Sequence, residues 1–121
     1  MLRPNAATIV GIDLGTTYSV VAHLDVHGRP ISIPNSAGDI ITPSVVFFED
    51  GVPIVGREAV LAAPTQPENV ADYVKRDIGN RHFRKPINGE FLPPEVISSY
   101  ILRKLKVEAE RKCGPITAAV V

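Results

Sequence analysis

The fold is decided by the stretch Thr8-Ile9-Val10-Gly11-Ile12-Asp13-Leu14-Gly15-Thr16-Thr17-Tyr18-Ser19. The β-branched run Ile9, Val10 and Ile12 predicts a strand that is covered on both faces. Asp13 then places a carboxylate at the end of this strand, and the residues after it form a polar turn with free amides and hydroxyls. The stretch therefore predicts a buried strand, a tight turn and the start of a second strand.

The turn that follows Asp13 has the chemistry of an anion site. Successive backbone N–H groups in a turn form a concavity that binds anions, and phosphate is the usual ligand. A carboxylate beside such a turn can hold magnesium, directly or through its waters. An ordinary hairpin, in which the glycine and threonine residues serve only the turn, fits the same residues. The short D-x-G-T pattern does not decide between these two interpretations.

Composition limits the classes of function. A chain of 121 residues is long enough for one small domain with a core. Its 45% hydrophobic and 21% charged content is typical of a soluble globular protein. The formal net charge is zero, so nothing electrostatic indicates binding to nucleic acid or to an anionic membrane. The single cysteine, Cys113, and the lack of a long apolar run favour a cytoplasmic protein with no signal peptide and no membrane span.

The periodicity along the chain predicts an α/β fold. A second strand from about residue 18 to 24 and a third at 31–33 continue an antiparallel meander. A hairpin follows, with strands at 45–48 and 53–55, and then a short helix at 56–63 that ends before Pro64. Residues 80–92 are interpreted as a short polar stretch, and residues 117–121 as the start of another apolar strand.

One long helix is predicted from about residue 94 to 112. Pro93-Pro94-Glu95 suits a first helical turn, and Gly114 with Pro115 suits the stop. Helical spacing predicts a buried apolar stripe of Val96, Ile97, Tyr100, Ile101, Leu105 and Ala109. Charged residues are expected on the other, solvent-exposed side: Arg103, Lys104, Glu108, Glu110 and Arg111.

Several stretches together resemble one family. Gly-Ile-Asp-Leu-Gly-Thr-Thr-Tyr-Ser at 11–19 closely resembles the first phosphate-binding loop of the DnaK-type heat-shock chaperones, members of the actin-like and sugar-kinase-like ATPase superfamily. The shorter D-x-G-T-T is shared with sugar kinases, whereas the added Tyr-Ser is typical of the chaperones. An N-x-x-G, a T-P-S, a hairpin and a V-G-x-x-A follow in the family's order, and Val74-Lys75-Arg76-x-Ile78-Gly79 is similar to its K-R-x-I-G segment.

The chain also departs from that family. Ile40 stands where the family usually carries an arginine, and Asp72 stands where it usually carries an aromatic residue three positions before the lysine. Residues 80–92 are shorter than the family's insertion. The resemblance covers nearly all of residues 8–121 but only the first portion of a longer nucleotide-binding region. Because the last predicted strand is unfinished, we expect an N-terminal fragment of a longer protein.

The resemblance implies a fold in two parts. It is a ribonuclease-H-like, actin-like ATPase half-lobe that carries an inserted small α+β lobe. Residues 1–42 and 115–121 would form the first part of the ATPase lobe, with the phosphate loop and the strand meander. Residues 43–114 would form the inserted lobe, including the long helix at about 94–112.

The resemblance also implies a function. The protein would be a stress-response chaperone that couples ATP binding and hydrolysis to the binding and release of unfolded polypeptides, with a J-domain co-chaperone and a nucleotide-exchange factor as further partners. The cofactors would be ATP or ADP and Mg²⁺. The amides of Gly15, Thr16, Thr17 and Tyr18 would hold the phosphates. Asp13 would hold Mg²⁺ through water, and Lys75 would reach the terminal phosphate and orient the attacking water. The fragment alone is expected to fold without hydrolysing ATP.

Two other functions stay open on the sequence. A small-molecule kinase of the sugar type would use the same phosphate loop, although the Lys75 segment argues against it. A non-catalytic nucleotide-binding regulatory module would keep the fold, and the departures at Ile40 and Asp72 are compatible with it. For Lys75 and Arg76, the alternative is a solvated charge pair on a short helix.

Overall fold

Two β-sheets and one long helix make up the part of the chain that the computed structural model describes, residues 8–121. The strands and helices, in chain order, are β1 (Ile9–Leu14), β2 (Tyr18–Leu24), β3 (Pro30–Ser32), β4 (Thr42–Pro43), β5 (Val46–Glu49), β6 (Val52–Val55), α1 (Arg57–Ala62), β7 (Val70–Ala71), α2 (Pro94–Cys113) and β8 (Ala118–Val120). Two 3₁₀ helices, Pro67–Asn69 and Val74–Asp77, flank β7. The α/β class predicted from the sequence is confirmed.

The first sheet has the strand order β3-β2-β1-β8, and β4 pairs with the first residues of β2. The β1 and β2 strands are antiparallel and remain paired up to Leu14 and Ser19. The β8 strand is parallel to β1, with Ile9 opposite Ala118. A parallel pair needs a crossover connection, and the chain supplies it through α2. The predicted meander and the predicted last strand are therefore confirmed.

The second sheet has the order β6-β5-β7. Its hairpin joins β5 to β6 through Asp50 and Gly51, whose φ angles of 50° and 81° are both positive. Two positive φ angles are what a two-residue turn between twisted antiparallel strands requires. The predicted hairpin is confirmed, whereas the sequence did not predict β7, which adds Val70 and Ala71 to the other edge of β5.

The α2 helix carries the core that both sheets share. Ile97, Ile101, Leu105 and Ala109 recur every fourth residue and are buried. They belong to one hydrophobic cluster with residues of both sheets, Val10, Ile12, Val21, Val46, Phe48 and Ala71. Each large aliphatic side chain buried in this way contributes about 1.5–3 kcal/mol of hydrophobic free energy. The helix ends at Gly114, whose φ of 71° suits glycine. The predicted long helix is confirmed, but Val96 of its predicted buried stripe is exposed, because it lies in the first turn of the helix on the side away from the core.

The β1 strand is covered on one face only, so the prediction of two covered faces is wrong for residues 8–121. Val10 and Ile12 are buried, whereas Ile9, Gly11 and Asp13 on the opposite face are exposed. The exposed fraction of Ile9 is 54%. Since side chains alternate along a strand, the α2 side of the sheet takes every second residue. The β8 strand is exposed throughout.

The interpretation of residues 80–92 as a polar stretch is also wrong. Phe83 and Ile87 are fully buried in the main cluster. Two backbone hydrogen bonds fold the segment back on itself, from Phe83 N to Leu92 O (2.8 Å) and from Ile87 N to Glu90 O (2.8 Å). This fold turns the two apolar side chains inward although polar residues surround them in the sequence. His82, which precedes Phe83, is exposed.

Glu108 corrects the prediction for the charged side of α2. It is 3% exposed, and it forms ion pairs with Lys104 (2.9 Å) and Arg111 (3.4 Å). Burial alone would raise the pKa of this carboxyl group. The contacts with Lys104 and with Ser36, together with the charges of Lys104 and Arg111, outweigh burial and lower the pKa below its usual value.

No helix within residues 8–121 is long and apolar enough to cross a membrane.

Candidate functional site

The turn between β1 and β2 is shaped by the close approach of two backbone segments. A Cβ atom added to Gly15 would lie 2.1 Å from the carbonyl oxygen of Tyr18. No side chain fits at that distance, so only glycine allows the chain to fold back this tightly. The steric limit explains why this position of the turn is a glycine.

Two backbone N–H groups of this turn, those of Thr16 and Thr17, have no acceptor within residues 8–121. The N–H of Gly15 instead faces the carbonyl oxygen of Tyr18, because Leu14 pairs with Ser19 at the end of the ladder. Thr17 is exposed and Thr16 is half-buried, so their N–H groups can reach a ligand. Successive unpaired amides in a turn are the arrangement that binds anions.

The turn is fixed from outside by the segment at β4. Ser44 N donates a hydrogen bond to Thr17 O (2.9 Å), and Tyr18 pairs with Pro43. The buried hydroxyl groups of Ser19 and Ser44 are hydrogen-bonded at 2.8 Å. These contacts hold the start of β2 and leave the turn amides uninvolved. No local pattern predicts the supporting role of Ser19 and Ser44, because their contact spans 25 positions of the chain.

Asn35 organises the loop that leads to β4. Its Oδ1 accepts hydrogen bonds from the N–H groups of Ala37 and Asp39, both at 3.0 Å. Its Nδ2 donates to Thr42 Oγ1 at 3.1 Å. One amide side chain therefore closes the loop and connects it to the strand that supports the turn. Ile40, one of the departures from the family, is exposed in this loop.

Asp13 lies at the edge of the turn, on the exposed face of β1. Its partner across the ladder is Val20. Within the described range, its carboxylate takes part in no ion pair. The described residues contain no group of three or more His, Cys, Asp or Glu side chains that could hold a metal ion together. Asp13 is therefore a single exposed carboxylate next to unpaired amides.

Lys75 lies in the second 3₁₀ helix, Val74–Asp77. Val74 points into the main hydrophobic cluster, whereas Lys75 is exposed and forms no ion pair with any residue from 8 to 121. The residue before the helix, Tyr73, has a φ of 52° and a ψ of 31°, a left-handed conformation that is uncommon outside glycine. The guanidinium carbon of Arg76 lies 4.5 Å from the centre of the Tyr73 ring.

A cavity of about 280 Å³ brings the turn and the Lys75 segment together. Thr16, Thr17 and Tyr18 line one side of it, and Asp72 and Tyr73 line the other. Its remaining walls are mostly apolar: Pro43, Val45, Val60 and Ala63. Gly15 and Asp13 border this space along the chain without lining it, and Lys75 lies two residues beyond Tyr73. Three of the lining residues, Thr16, Thr17 and Tyr18, are site residues predicted from the sequence, whereas no sequence signal predicts that Tyr73 lines the cavity.

The comparison with known families identifies the chain. The profile of the family described as Hsp70 protein matches residues 9–121. The proteins named Chaperone protein DnaK from two strains of Thermus thermophilus are each 40% identical over 137 aligned positions. These alignments cover 95% of this chain and 22% of each relative.

The alignment also shows a difference in length. It spans 137 positions, more than the 121 residues of the whole chain, so the relatives contain positions that have no counterpart here. The chain spans 22% of the length of the curated relatives that it matches. A family match over almost the whole chain, together with this level of identity, decides the assignment: the chain belongs to the Hsp70 family.

Proposed function

We propose that this chain is the N-terminal part of the ATP-binding domain of a molecular chaperone, in which ATP binding and hydrolysis drive the binding and release of unfolded polypeptides. The main support is the tight turn at residues 15–17, in which the N–H groups of Thr16 and Thr17 have no acceptor within the described range. The relatives named Chaperone protein DnaK support the chaperone part of the proposal. The turn supports the phosphate part.

The turn residues bind the phosphates in this proposal. The amides of Gly15, Thr16, Thr17 and Tyr18 donate to the oxygens of the β- and γ-phosphates of ATP, or to those of the β-phosphate of ADP. Backbone donors held in place before the ligand arrives stabilise the negative charge without having to reorganise. Gly15 keeps the turn tight enough to aim these donors, and Ser44 holds Thr17 from behind.

Asp13 accepts hydrogen bonds from the water shell of Mg²⁺. Mg²⁺ usually keeps several waters and binds through one or two carboxylates and the phosphates of a substrate, so a single exposed carboxylate beside the turn fits it. When bound, Mg²⁺ neutralises charge on the phosphate oxygens. The apolar walls of the cavity, Val45 and Val60 among them, reduce the water around the site.

Lys75 reaches the terminal phosphate from the opposite side. It is exposed, forms no ion pair in residues 8–121, and follows Tyr73, which lines the same cavity as Thr16 and Thr17. A lysine ammonium is a compact charge on a flexible stem, suited to reach across a cleft. Lys75 stabilises the charge that develops on the phosphate and orients the attacking water. Asp13 and Lys75 are thus the catalytic pair.

The division into two lobes belongs to the same proposal. Residues 1–42 and 115–121 form the first part of an actin-like ATPase lobe, of which 8–42 and 115–121 are described. Residues 43–114 form an inserted small α+β lobe. The two separate sheets support this division, since the first contains β1 to β4 and β8 and the second contains β5 to β7. Under this division, the cavity is lined by residues of both lobes.

The partners follow from the chaperone assignment. They are unfolded polypeptide clients, a J-domain co-chaperone and a nucleotide-exchange factor for the full-length protein, in the cytoplasm. Nucleic acid and membranes are not among them. The match to the Hsp70 family does not favour the sugar-type kinase or the regulatory module that the sequence left open.

The proposal is tested by Asp13→Asn in the full-length protein. This change keeps the shape of the side chain and removes the charge that faces the metal's waters. We expect Mg²⁺-dependent ATP binding or turnover to fall while the protein stays folded. Asp39→Asn is the control, because Asp39 is an exposed carboxylate in another loop. Turnover and magnesium dependence at the wild-type level in Asp13→Asn would contradict the assignment.

A further inference from the structure

Arg84 forms contacts with both ends of the 3₁₀ helix that contains Lys75. Its Nη2 donates to Asp72 Oδ1 (2.7 Å) and to the carbonyl oxygen of Asp72 (2.8 Å). Its Nη1 donates to Asp77 Oδ2 (3.3 Å), and its backbone N–H donates to the same oxygen (3.1 Å). Asp72 lies two residues before this 3₁₀ helix, and Asp77 is the last residue of the helix. One guanidinium therefore bridges the two ends.

Arg84 is anchored to the core through its neighbour in the chain, Phe83. Phe83, its neighbour, is fully buried, and Phe83 N donates a hydrogen bond to Leu92 O at 2.8 Å. The guanidinium carbon of Arg84 lies 4.4 Å from the centre of the Phe83 ring. A cation over an aromatic ring is attracted to it. The Arg84 guanidinium thus contacts the ring of the buried Phe83 and, through its nitrogen atoms, the carboxylates of Asp72 and Asp77.

The segment that Arg84 bridges needs such support. Tyr73 adopts a left-handed conformation, which a non-glycine residue keeps only where its surroundings over-determine it. The helix after it begins without a side-chain cap and is only four residues long. On the core side, Val74 fixes the segment. On the outer side, the contacts that fix it are those of Arg84 to Asp72 and Asp77.

We infer that Arg84 is a positioning residue, which holds the Asp72–Asp77 segment so that Tyr73 and Lys75 stay beside the cavity of Thr16–Tyr18. This inference rests on the proposed function for the role of Lys75. The planar guanidinium presents donors in a fixed fork and can serve two carboxylates in different directions. The contact with Arg84 thereby gives a structural reason for Asp72 at this position, where the family usually carries an aromatic residue.

The first test measures backbone hydrogen exchange in the full-length protein and needs no ATP. The reporters are amides with acceptors in the bridged segment: Arg76 N to Tyr73 O, Ile78 N to Lys75 O, and Asn80 N to Asp77 O. Arg84→Gln should raise their exchange rates about five- to tenfold, the size expected for the loss of two exposed ion pairs. Arg29→Gln is the matched control, because it removes an exposed Arg–Asp pair in the turn after β2.

The second test measures single-turnover hydrolysis beside ATP affinity. Arg84→Gln should lower the hydrolysis rate by about ten- to a hundredfold, because small misplacements of a catalytic group have effects of this size. ATP affinity should change little. Arg84→Lys should also lower the rate, since one ammonium cannot replace the fork. In a Lys75→Ala background, Arg84→Gln should cause no further loss of rate.

The outcomes separate this inference from the proposed function. Unchanged exchange in Arg84→Gln overturns the inference whatever the ATPase activity is. So does an equal loss of rate with and without Lys75, because Arg84 would then act by another route. A wild-type protein that binds no ATP would overturn the proposed function, and the exchange rates would still decide whether Arg84 holds the segment.

Discussion

The two sides of the cavity are built in different ways. The turn at residues 15–18 is shaped by the main chain, since a Cβ on Gly15 would meet Tyr18 O at 2.1 Å and Ser44 N bonds to Thr17 O. The opposite side, residues 72–77, is held by side chains. There, Val74 enters the core and Arg84 bridges from farther along the chain.

This difference decides what a sequence can reveal about each side. A turn shaped by its own backbone needs particular residues at particular positions, so a local motif records it. A segment held by side chains from elsewhere needs only compatible partners, and those can change together. The turn matches the family's motif throughout, whereas the other side contains Asp72 in a departure from it and Arg84 as its partner.

The largest effect is expected on the side shaped by the backbone. Gly15→Ala should reduce ATP affinity by about a hundredfold or more, because the added Cβ forces the turn open and moves the amide donors away from their target. Calorimetric titration of the full-length protein with Mg²⁺ and ATP measures this affinity.

Gly11→Ala is the matched control for that experiment. Gly11 lies in the same strand and turn motif, but apart from Gly11 itself and its chain neighbours Val10 and Ile12, no atom within residues 8–121 lies within 4 Å of the position of an added Cβ. This variant should bind ATP within a few-fold of the wild type. If Gly15→Ala also binds like the wild type, the turn does not depend on the close approach, and the contrast between the two sides fails.

The next largest effect is expected at Lys75. Lys75→Ala should lower single-turnover hydrolysis by about a hundredfold or more and leave nucleotide affinity largely intact, because the contact strengthens as charge develops in the transition state. Lys75→Arg should also fail, since the guanidinium is larger and planar. Lys112→Ala, which changes an exposed lysine at the end of α2, is the control.

The same two substitutions also distinguish the two interpretations of the Lys75 charge. If Lys75 is a solvated surface residue beside Arg76, both substitutions will leave hydrolysis unchanged. Such a result would remove residues 72–77 from the proposed site and leave only the turn at residues 15–18.

The smallest effect is expected at Glu108, which contacts Ser36 in the loop that Asn35 closes behind the turn. Glu108→Gln should cost about 1–3 kcal/mol at pH 7 through the weakened contacts of a buried charged group. The pKa of Glu108 is lowered below its usual 4.5, so the carboxylate stabilises the fold above about pH 4.5, and this contribution is lost as the pH falls through the folded-state pKa.

Thermal unfolding of the full-length protein between pH 7 and acidic pH checks this linkage. The midpoint of Glu108→Gln should lie below that of the wild type at pH 7, and the gap should close in acid. Glu49→Gln, at an exposed carboxylate that ends β5, should follow the wild type. A gap that persists unchanged into acid would show that Glu108 acts through packing and not through its charge.

Local patterns predicted most of the fold. The β1–β2 turn, the β5–β6 hairpin and α2 were predicted because their residues carry the signal of each element themselves. The β7 strand was missed because two residues are too short to show a period. The sequence around Phe83 and Ile87 predicts a polar stretch, because a fold-back of backbone hydrogen bonds, and not periodicity, buries these two side chains.

Glu108 and the cavity-lining residue Tyr73 show the same limit of prediction from local patterns. By spacing, Glu108 lies on the apolar stripe of α2, three residues after Leu105 and seven after Ile101, but its residue type suggested solvent. Its carboxylate is stabilised in its charged form by Lys104, Arg111 and Ser36, of which the last lies far away in the sequence. The lining role of Tyr73 likewise depends on how the two sheets meet, and no short motif records that.

The central claim is that both sides of the cavity face one bound nucleotide. NMR spectra of the full-length protein, selectively labelled at the backbone amides of residues 13–18 and 72–77 and titrated with Mg²⁺ and ADP, test it directly. We expect the amide signals of Gly15, Thr16 and Thr17 to shift at the same nucleotide concentration as those of Tyr73 and Lys75. Saturable nucleotide binding that leaves the amides of Gly15 to Thr17 unshifted would contradict it.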